Sequence, residues 1–565
     1  MIKYLFWIIP SVIAQFAEGQ TARYSVVINE ILADPSPIVG LPNTEFIELK
    51  NISNRPIQLA KWRIDNGNTS AVVNTSYLLQ PDSLVILCTK TQTAAFNAPK
   101  KTIGLSSFPT LGNEGGIITL KDPTGKTIHA VEHNQSLFDS PLKSEGGWTL
   151  EMIDPMKACD PENWKASINN LGGTPGNENS IYKQNQPTEK INALQCTAIN
   201  PNSLLLQLNK GADSLSLSSI QQYSLLATNI HITSANALAP LFKEVSIQLS
   251  LPLELNKIYQ LDVKDITHCN QAVVDSMKIK TGLIKQPEKE DLILNEILFN
   301  PETGGADFVE IYNKSNSIID AKEVFLTAKN LNGALSNTAY QASKDHLNIF
   351  PDEYIVLTTD TGYLIRRWTT RAAQLIQMNT MPSMPDDKGN IVILDKQGRI
   401  LDEMTYTESM HFPLLTNHAG VSLERINTFN SSSNPNNWHS ASSTNNYATP
   451  TRKNSQHVSI ENTDHEITLS PEMISPNNDG IDDLLNIAYR FQHQGTLITI
   501  AVYDYNGRLI TTIANNQLCG TSGSITWNGL DRKNQKPPSG IYIIYAETLN
   551  LAGNIRRVKK IIAIK

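Results

Sequence analysis

The sequence predicts an all-β protein made of several β-sandwich domains in tandem. Three observations predict it. Short runs of alternating apolar and polar residues recur between clusters of Gly, Pro, Asn and Asp. No long segment keeps the period of an amphipathic helix. A large part of the chain occurs twice, as a duplicated folding unit does. At 565 residues the chain also exceeds what a single core can hold. Its 40% apolar residues suffice for several cores, and a net charge of −7 gives no basic footprint for nucleic acid.

The elements follow in chain order. Lys3, the apolar run Tyr4 to Ala14 and the small residues Ala14, Ala17 and Gly19 read as a secretory signal peptide over residues 1–20. That run is too short to span a bilayer and no later run is long enough, so no transmembrane segment is expected in the mature chain. The expected location is secreted, either extracellular or on the outer-membrane surface. Export permits disulfides. Cys196 and Cys269 flank the middle of the chain and are the first expected pair, worth about 4 kcal/mol in the chain-entropy account. Cys88 and Cys159 are the second, which leaves Cys519 unpaired.

The duplication sets the next boundaries. Asn29-Glu30-Ile31-Leu32 recurs as Asn295-Glu296-Ile297-Leu298, and Glu45-Phe46-Ile47-Glu48 as Asp307-Phe308-Val309-Glu310. PDSLVIL at 81–87 matches PDEYIVL at 351–357, and the hairpin at 118–128 matches that at 392–401. Trp148-Thr149-Leu150-Glu151 matches Val421-Ser422-Leu423-Glu424, Asn163-Trp164 matches Asn437-Trp438, and Thr174-Pro175 matches Thr449-Pro450. The copies occupy 24–180 and 288–455. In the first, Ile47 and Leu49 share one strand face while Phe46 and Glu48 share the other.

These motifs resemble the lamin-tail domain, an immunoglobulin-like sandwich found in nuclear lamins and in many secreted bacterial proteins. The opening NEIL, the EFIELKN strand, Leu111-Gly112-Asn113-Glu114-Gly115 and the closing Gly172-Gly173-Thr174-Pro175-Gly176 carry the resemblance. The second copy has Asn300 in place of Asp34 and a less Gly-rich closing segment. Between the copies, residues 188–283 resemble a bacterial immunoglobulin-like domain of the surface-layer type through Tyr259, Leu261, Val263, Cys269 and Asn270. Residues 463–565 carry an Asn506-Gly507 hairpin signal. Trp527-Asn528-Gly529, Pro538 to Tyr542 and Lys559-Lys560-Ile561 resemble the immunoglobulin-like C-terminal domains that carry a type IX secretion signal in Bacteroidota. The fold class is thus all-β, with tandem immunoglobulin-like β-sandwich domains. The last resemblance implies export across the outer membrane, with the type IX secretion machinery as a partner.

Candidate chemistry is sparse. His129-Ala130-Val131-Glu132-His133 fits the H-x-x-E-H pattern of zinc peptidases, which needs a helix. Here the pentapeptide alternates as a strand, which puts Glu132 on the face opposite both histidines. Glu45 and Glu48 likewise fall on opposite faces, so they do not form a glycosidase pair. Oxygen-bearing residues in Ser475 to Asp483 suggest calcium held by Asn477, Asp479 and Asp482, although the distal glutamate of an EF-hand is missing. The competing reading is an Asx-rich turn. Trp62, Trp148, Trp164 and Trp438 are expected in cores rather than as sugar platforms. The expectation is a non-enzymatic adhesion or scaffolding protein that binds an extracellular protein or polysaccharide. The alternative is an accessory module that brings polysaccharide or extracellular DNA to a secreted hydrolase.

Overall fold

The computed structural model describes residues 21–565 except 97–100, 185–189, 269–272, 275, 331, 414, 458–466, 492–495, 520–521 and 551–552. The signal peptide and Cys269 therefore lie outside the described residues. Two compact units emerge. One holds residues up to Pro252 and Tyr259–Thr281, the other Leu253–Ile258 and Gly282–Lys565.

In the first unit a six-stranded sheet runs in the order Trp164–Ala166, Leu150–Met152, Val26–Leu32, Phe46–Asn51, Leu84–Thr89 and Thr102–Leu105. A four-stranded sheet of Thr127–Asn134, Gly115–Lys121, Arg63–Asp65 and Ser70–Val72 lies against it. Strand alternation explains the packing. Ile47 and Leu49 enter the inter-sheet core with Trp62, Ile64, Ile118 and Trp164, whereas Phe46 turns outward into a second cluster with Leu32, Ile86 and Phe96. Asp122 accepts the Thr124 amide and Gly125 takes φ +89°, which closes the expected turn between the hairpin strands.

The second unit repeats this plan. Its six-stranded sheet runs Trp438–Ser440, Leu423–Arg425, Leu292–Leu298, Phe308–Asn313, Tyr354–Thr358 and Leu375–Gln377, faced by Ile400–Thr407, Lys388–Asp395, Val324–Thr327 and Tyr340–Gln341. Order and register match the first copy strand for strand, down to a bulge between Ile28 and Glu30 and another between Leu294 and Glu296.

The insert is a smaller sandwich. Ala193–Asn200, Ser203–Leu208, Glu244–Leu249 and Ile232–Leu238 form one sheet; Tyr223–Leu225, Tyr259–Val263 and Met277–Thr281 form the other. The C-terminal sandwich pairs Ile467–Ser470, Leu485–Arg490 and Ser522–Trp527 against a five-stranded sheet that includes Thr496–Asp504, Gly540–Leu549 and Ile555–Ile564. Among the described residues no helix is long and apolar enough to cross a membrane.

Both expected disulfides are corrected. Cys88 and Cys196 are buried and in no disulfide, as is Cys519, while Cys159 is disulfide-bonded. Strand register is the cause. It aims Cys196 into the insert core opposite Leu206, and sets Cys88 opposite Phe46 within the cluster formed by Leu32, Ile86 and Phe96. Burial pushes the Cys88 thiol up to about 11 and the Cys196 thiol up to about 12, so each behaves as a small apolar side chain.

Candidate functional site

The most distinctive chemistry is a pair of buried carboxylate trios that sequence reading did not assemble. The strand Val26–Leu32 sits between Phe46–Asn51 and Leu150–Met152, and register places Glu30 directly opposite Glu48 on one side and Glu151 on the other. In the second copy Glu296 lies opposite Glu310 and Glu424 in the same way. All six are buried to 0% exposure. Like charges directly across a ladder destabilise it, so such a trio persists only with protons or donors supplied.

The closing segment of each copy supplies the donors. In the first, Glu30 accepts the Thr149 hydroxyl (2.8 Å) and the Thr174 amide (2.7 Å). Glu151 accepts the Thr174 and Ser180 hydroxyls, and Glu48 accepts the Gly176 amide and the Asn29 side chain. A Cβ on Gly173 would stand 2.7 Å from Glu30 Oε1, which explains the glycine beside Thr174. In the second copy Ser422, Thr449, Ser455, Thr451 and Asn295 make the equivalent bonds.

One hydroxyl fixes a proton. Thr449 Oγ1 lies 2.6 Å from Glu424 Oε1 and 3.2 Å from Glu296 Oε2, yet has a single hydrogen to give. Both contacts are bonds if Thr449 donates to Glu424 while a protonated Glu296 donates to Thr449. Burial, then the Glu424 charge, pushes Glu296 up to about 8; burial pushes Glu48 up to about 7 and, with Glu48 or Glu296 beside them, holds Glu30 and Glu310 well above the usual carboxylate range. The trios fasten the closing segment to the sheet and are sealed from solvent.

The two histidines of the H-x-x-E-H segment are internal. His129, Val131 and His133 are buried on one strand face and Glu132 is exposed on the other, where it pairs with Lys243 at 2.6 Å. His129 bridges the sandwich, with Nδ1 accepting the Ile28 amide and Nε2 donating to the Ala158 carbonyl. Burial lowers its pKa to about 4, so it works as a neutral strut. Trp62, Trp164 and Trp438 are buried, whereas Trp148 is half-exposed under Lys143, whose ammonium sits 4.5 Å from the ring centre.

Cys159, Asp160 and His268 bring ligand-type atoms within 4.8 Å of one another. A metal centre would need a thiolate and open lone pairs. Instead the Cys159 sulfur is in a disulfide, and Asp160 Oδ1 already accepts Lys210 Nζ (2.7 Å) and His268 Nε2 (2.9 Å). The cluster is a buried ion-pair network that ties the first copy to the insert.

Asn477, Asp479 and Asp482, the expected calcium ligands, lie in the loop that runs from Ser475 to Asp483. Asn477 and Asp479 bond to each other, side-chain amide to carboxylate at 3.0 Å, and Asp479 also accepts the Ile481 amide. The loop is organised by Asp483, which accepts the amides of Asn477, Asn478 and Gly480. Asn478 then joins the second copy: its side chain donates to the Ala441 carbonyl, and its own carbonyl accepts the Ser443 amide.

Open space lies elsewhere. In the first unit a cleft of about 1040 Å³ is lined by charged residues that include Arg23, Lys50, Asp82 and Lys157. In the second, a cleft of about 640 Å³ runs between the second copy and the C-terminal sandwich.

Residues 19–135 match the Lamin Tail Domain family, and residues 468–562 match the CHU_C type IX secretion signal domain. No curated protein matches in sequence. The chain is similar to a surface layer protein, SbsC domains 1–6, at 10% identity and TM-score 0.16, covering 66% of this chain and 54% of that one. It is similar to a Ca²⁺-stabilized adhesin of an Antarctic bacterium that binds ice, at 10% identity and TM-score 0.11, covering 96% and 100%. The Bacteroides ovatus protein SGBP-B, in complex with a mixed-linkage heptasaccharide, gives 10% identity and TM-score 0.12 over 67% and 71%. The chain therefore carries a lamin tail domain near its amino end and a type IX secretion signal domain at its carboxyl end, and is secreted to the cell surface or the extracellular space.

Proposed function

We propose that the protein is a non-catalytic adhesion or scaffolding component of the cell surface, which presents sandwich faces and loops to an extracellular partner. The observation that carries this reading is the placement of the carboxylate trios and His129. The carboxylate trios and His129 are sealed inside and hydrogen-bonded to the chain's own segments, whereas a catalytic acid or base must reach a substrate. The accessory reading, polymer capture beside a secreted hydrolase, is favoured by the many amide and hydroxyl side chains that line the cleft in the second unit.

The test is made on intact cells and on purified mature protein. The chain is expected to be trimmed by added protease on intact cells, and to hydrolyse chromogenic polysaccharides and DNA at background rates. Turnover abolished by one point substitution would sink the non-catalytic reading.

The Asn477–Asp483 loop serves, on this view, as a hydrogen-bonded clamp rather than a calcium site. Excess Ca²⁺ or chelator should move the melting temperature by less than about 1 °C, since a ligand that binds only the folded state would raise it. A rise of several degrees that Asp479→Asn removes would restore calcium at Asn477, Asp479 and Asp482.

A further inference from the structure

The cleft between the second copy and the C-terminal sandwich is rich in amide and hydroxyl side chains. Its volume of about 640 Å³ lies within the roughly 300–1,000 Å³ of small-ligand sites. Among the described residues that line it there is no lysine, arginine or glutamate, and Asp531 is the single carboxylate. The walls carry amides and hydroxyls, with Thr405, Asn434 and Asn436 on one side and Thr512, Asn528 and Asn534 on the other, set among apolar side chains such as Ile426 and Ile513. His411 and His439 are also in the wall and add no charge at neutral pH. Burial, then the neighbouring imidazoles, lowers His411 to about 3, and burial lowers His439.

Local bonding decides what these side chains offer. Asn434 Oδ1 accepts the Asn436 amide (3.1 Å), and Asn528 Oδ1 accepts the Leu530 amide (3.2 Å), so each asparagine presents its NH₂ group as a donor. Asp531 Oδ1 accepts the amides of Lys533 (2.8 Å) and Gln535 (2.9 Å), which leaves Oδ2 to accept a hydroxyl. Donors and acceptors are thus interleaved without net positive charge, a pattern that suits groups able to give and take a hydrogen bond at once. The cleft is also preformed. Asn427 Nδ2 bonds Ser524 Oγ across it at 3.1 Å, and the Asn478 bonds to Ala441 and Ser443 hold the two sandwiches together.

We infer that this cleft binds a neutral polyhydroxylated chain, a segment of an uncharged polysaccharide, with Asn434, Asn528 and Asp531 as its hydrogen-bonding contacts. An anionic polymer would meet Asp531 and no cation, and an apolar ligand would leave the wall amides unpaired. The inference rests on the polymer-capture reading and gives it a site.

The test is affinity electrophoresis of the mature protein through gels that contain β-glucan, xyloglucan or galactomannan, with polygalacturonate and duplex DNA as anionic controls. At least one neutral polymer should retard the protein and neither control should. The triple variant Asn434→Ala, Asn528→Ala, Asp531→Ala should weaken binding at least about tenfold, a loss of about 1.4 kcal/mol. Because Asn434 and Asn528 also brace turns, Thr512→Trp serves as a second variant. It fills the exposed mouth without touching a turn, and should give the same loss at an unchanged melting temperature. If a neutral polymer binds and Thr512→Trp leaves its affinity intact, polymer capture stands and this site is wrong. If no polymer, or only an anionic one, retards the wild-type protein, the site and the neutral-polymer reading both fall.

Discussion

Raising the pH from about 6.5 to about 8.5 is expected to lower the unfolding free energy of this protein, and Glu296→Gln is expected to remove part of that loss. The sign follows from which state holds the proton. An unfolded glutamate ionises near its usual value, while Glu296 in the fold keeps its proton up to about 8 and Glu48 up to about 7. The stability that these groups contribute is complete below the unfolded pKa and drains away as pH rises toward the folded one. The slope is on the order of 1.4 kcal/mol per pH unit for each carboxyl that stays protonated only in the fold. Buried neutral histidines act in the opposite sense. His129 and His411, lowered to about 4 and about 3, cost stability as pH falls below about 6.5, so the window above that value isolates the carboxylates.

Glu296→Gln imitates the protonated acid. Its amide can donate to Thr449 Oγ1, whose hydrogen then goes to Glu424. The variant should match wild type near pH 4 and exceed it by about 3–5 kcal/mol near pH 8.5 in urea unfolding. Glu424→Gln is the contrast. Both of its oxygens accept, from Thr449, Ser455 and the Gln456 amide, so an NH₂ group there meets donors and should cost about 1–3 kcal/mol at either pH. A flat pH profile, or equal behaviour of the two variants, would show that the trios hold no extra proton.

How much of this was legible in the chain is clearest at those trios. Every glutamate involved lies inside a repeated block: Glu30 in NEIL, Glu48 in EFIE, Glu151 in WTLE, with Glu296, Glu310 and Glu424 as counterparts. The repeat and the strand alternation could be read, and the structure agrees with both. What alternation does not give is register, the pairing of Glu30 with two neighbours of which one is far along the chain. Glu45 and Glu48 are neighbours in sequence, whereas the chemically coupled residues are neighbours across strands. The disulfide expectations failed for a related reason. Spacing says nothing of whether a cysteine faces a core, and Cys196 does, opposite Leu206. The H-x-x-E-H segment was easier because its chemistry demands a helix, and local alternation alone rules that out.

Lys210→Met should cost the first unit about 3–5 kcal/mol. Lys210 leaves the insert and reaches Asp160 of the first lamin-tail copy; both side chains are sealed, at 1% and 0% exposure. Burial alone would push the Asp160 carboxyl up, but the hydrogen bonds from His268 and Lys210 outweigh it and hold the group below its usual value. Without the ammonium, Asp160 keeps the His268 contact, and its second oxygen already has no hydrogen-bond partner. The carboxylate must then take a proton or draw in water, and either disturbs the joint between the two sandwiches. Because the cost comes from a stranded charge rather than from lost attraction, Asp160→Leu added to Lys210→Met should recover most of the stability. A surface pair such as Lys165 with Asp139, more than half exposed on both sides, should lose less than about 1 kcal/mol on the same kind of truncation. Equal losses at the two pairs, measured by urea unfolding of the whole mature chain, would mean that the Lys210–Asp160 joint is not sealed from water.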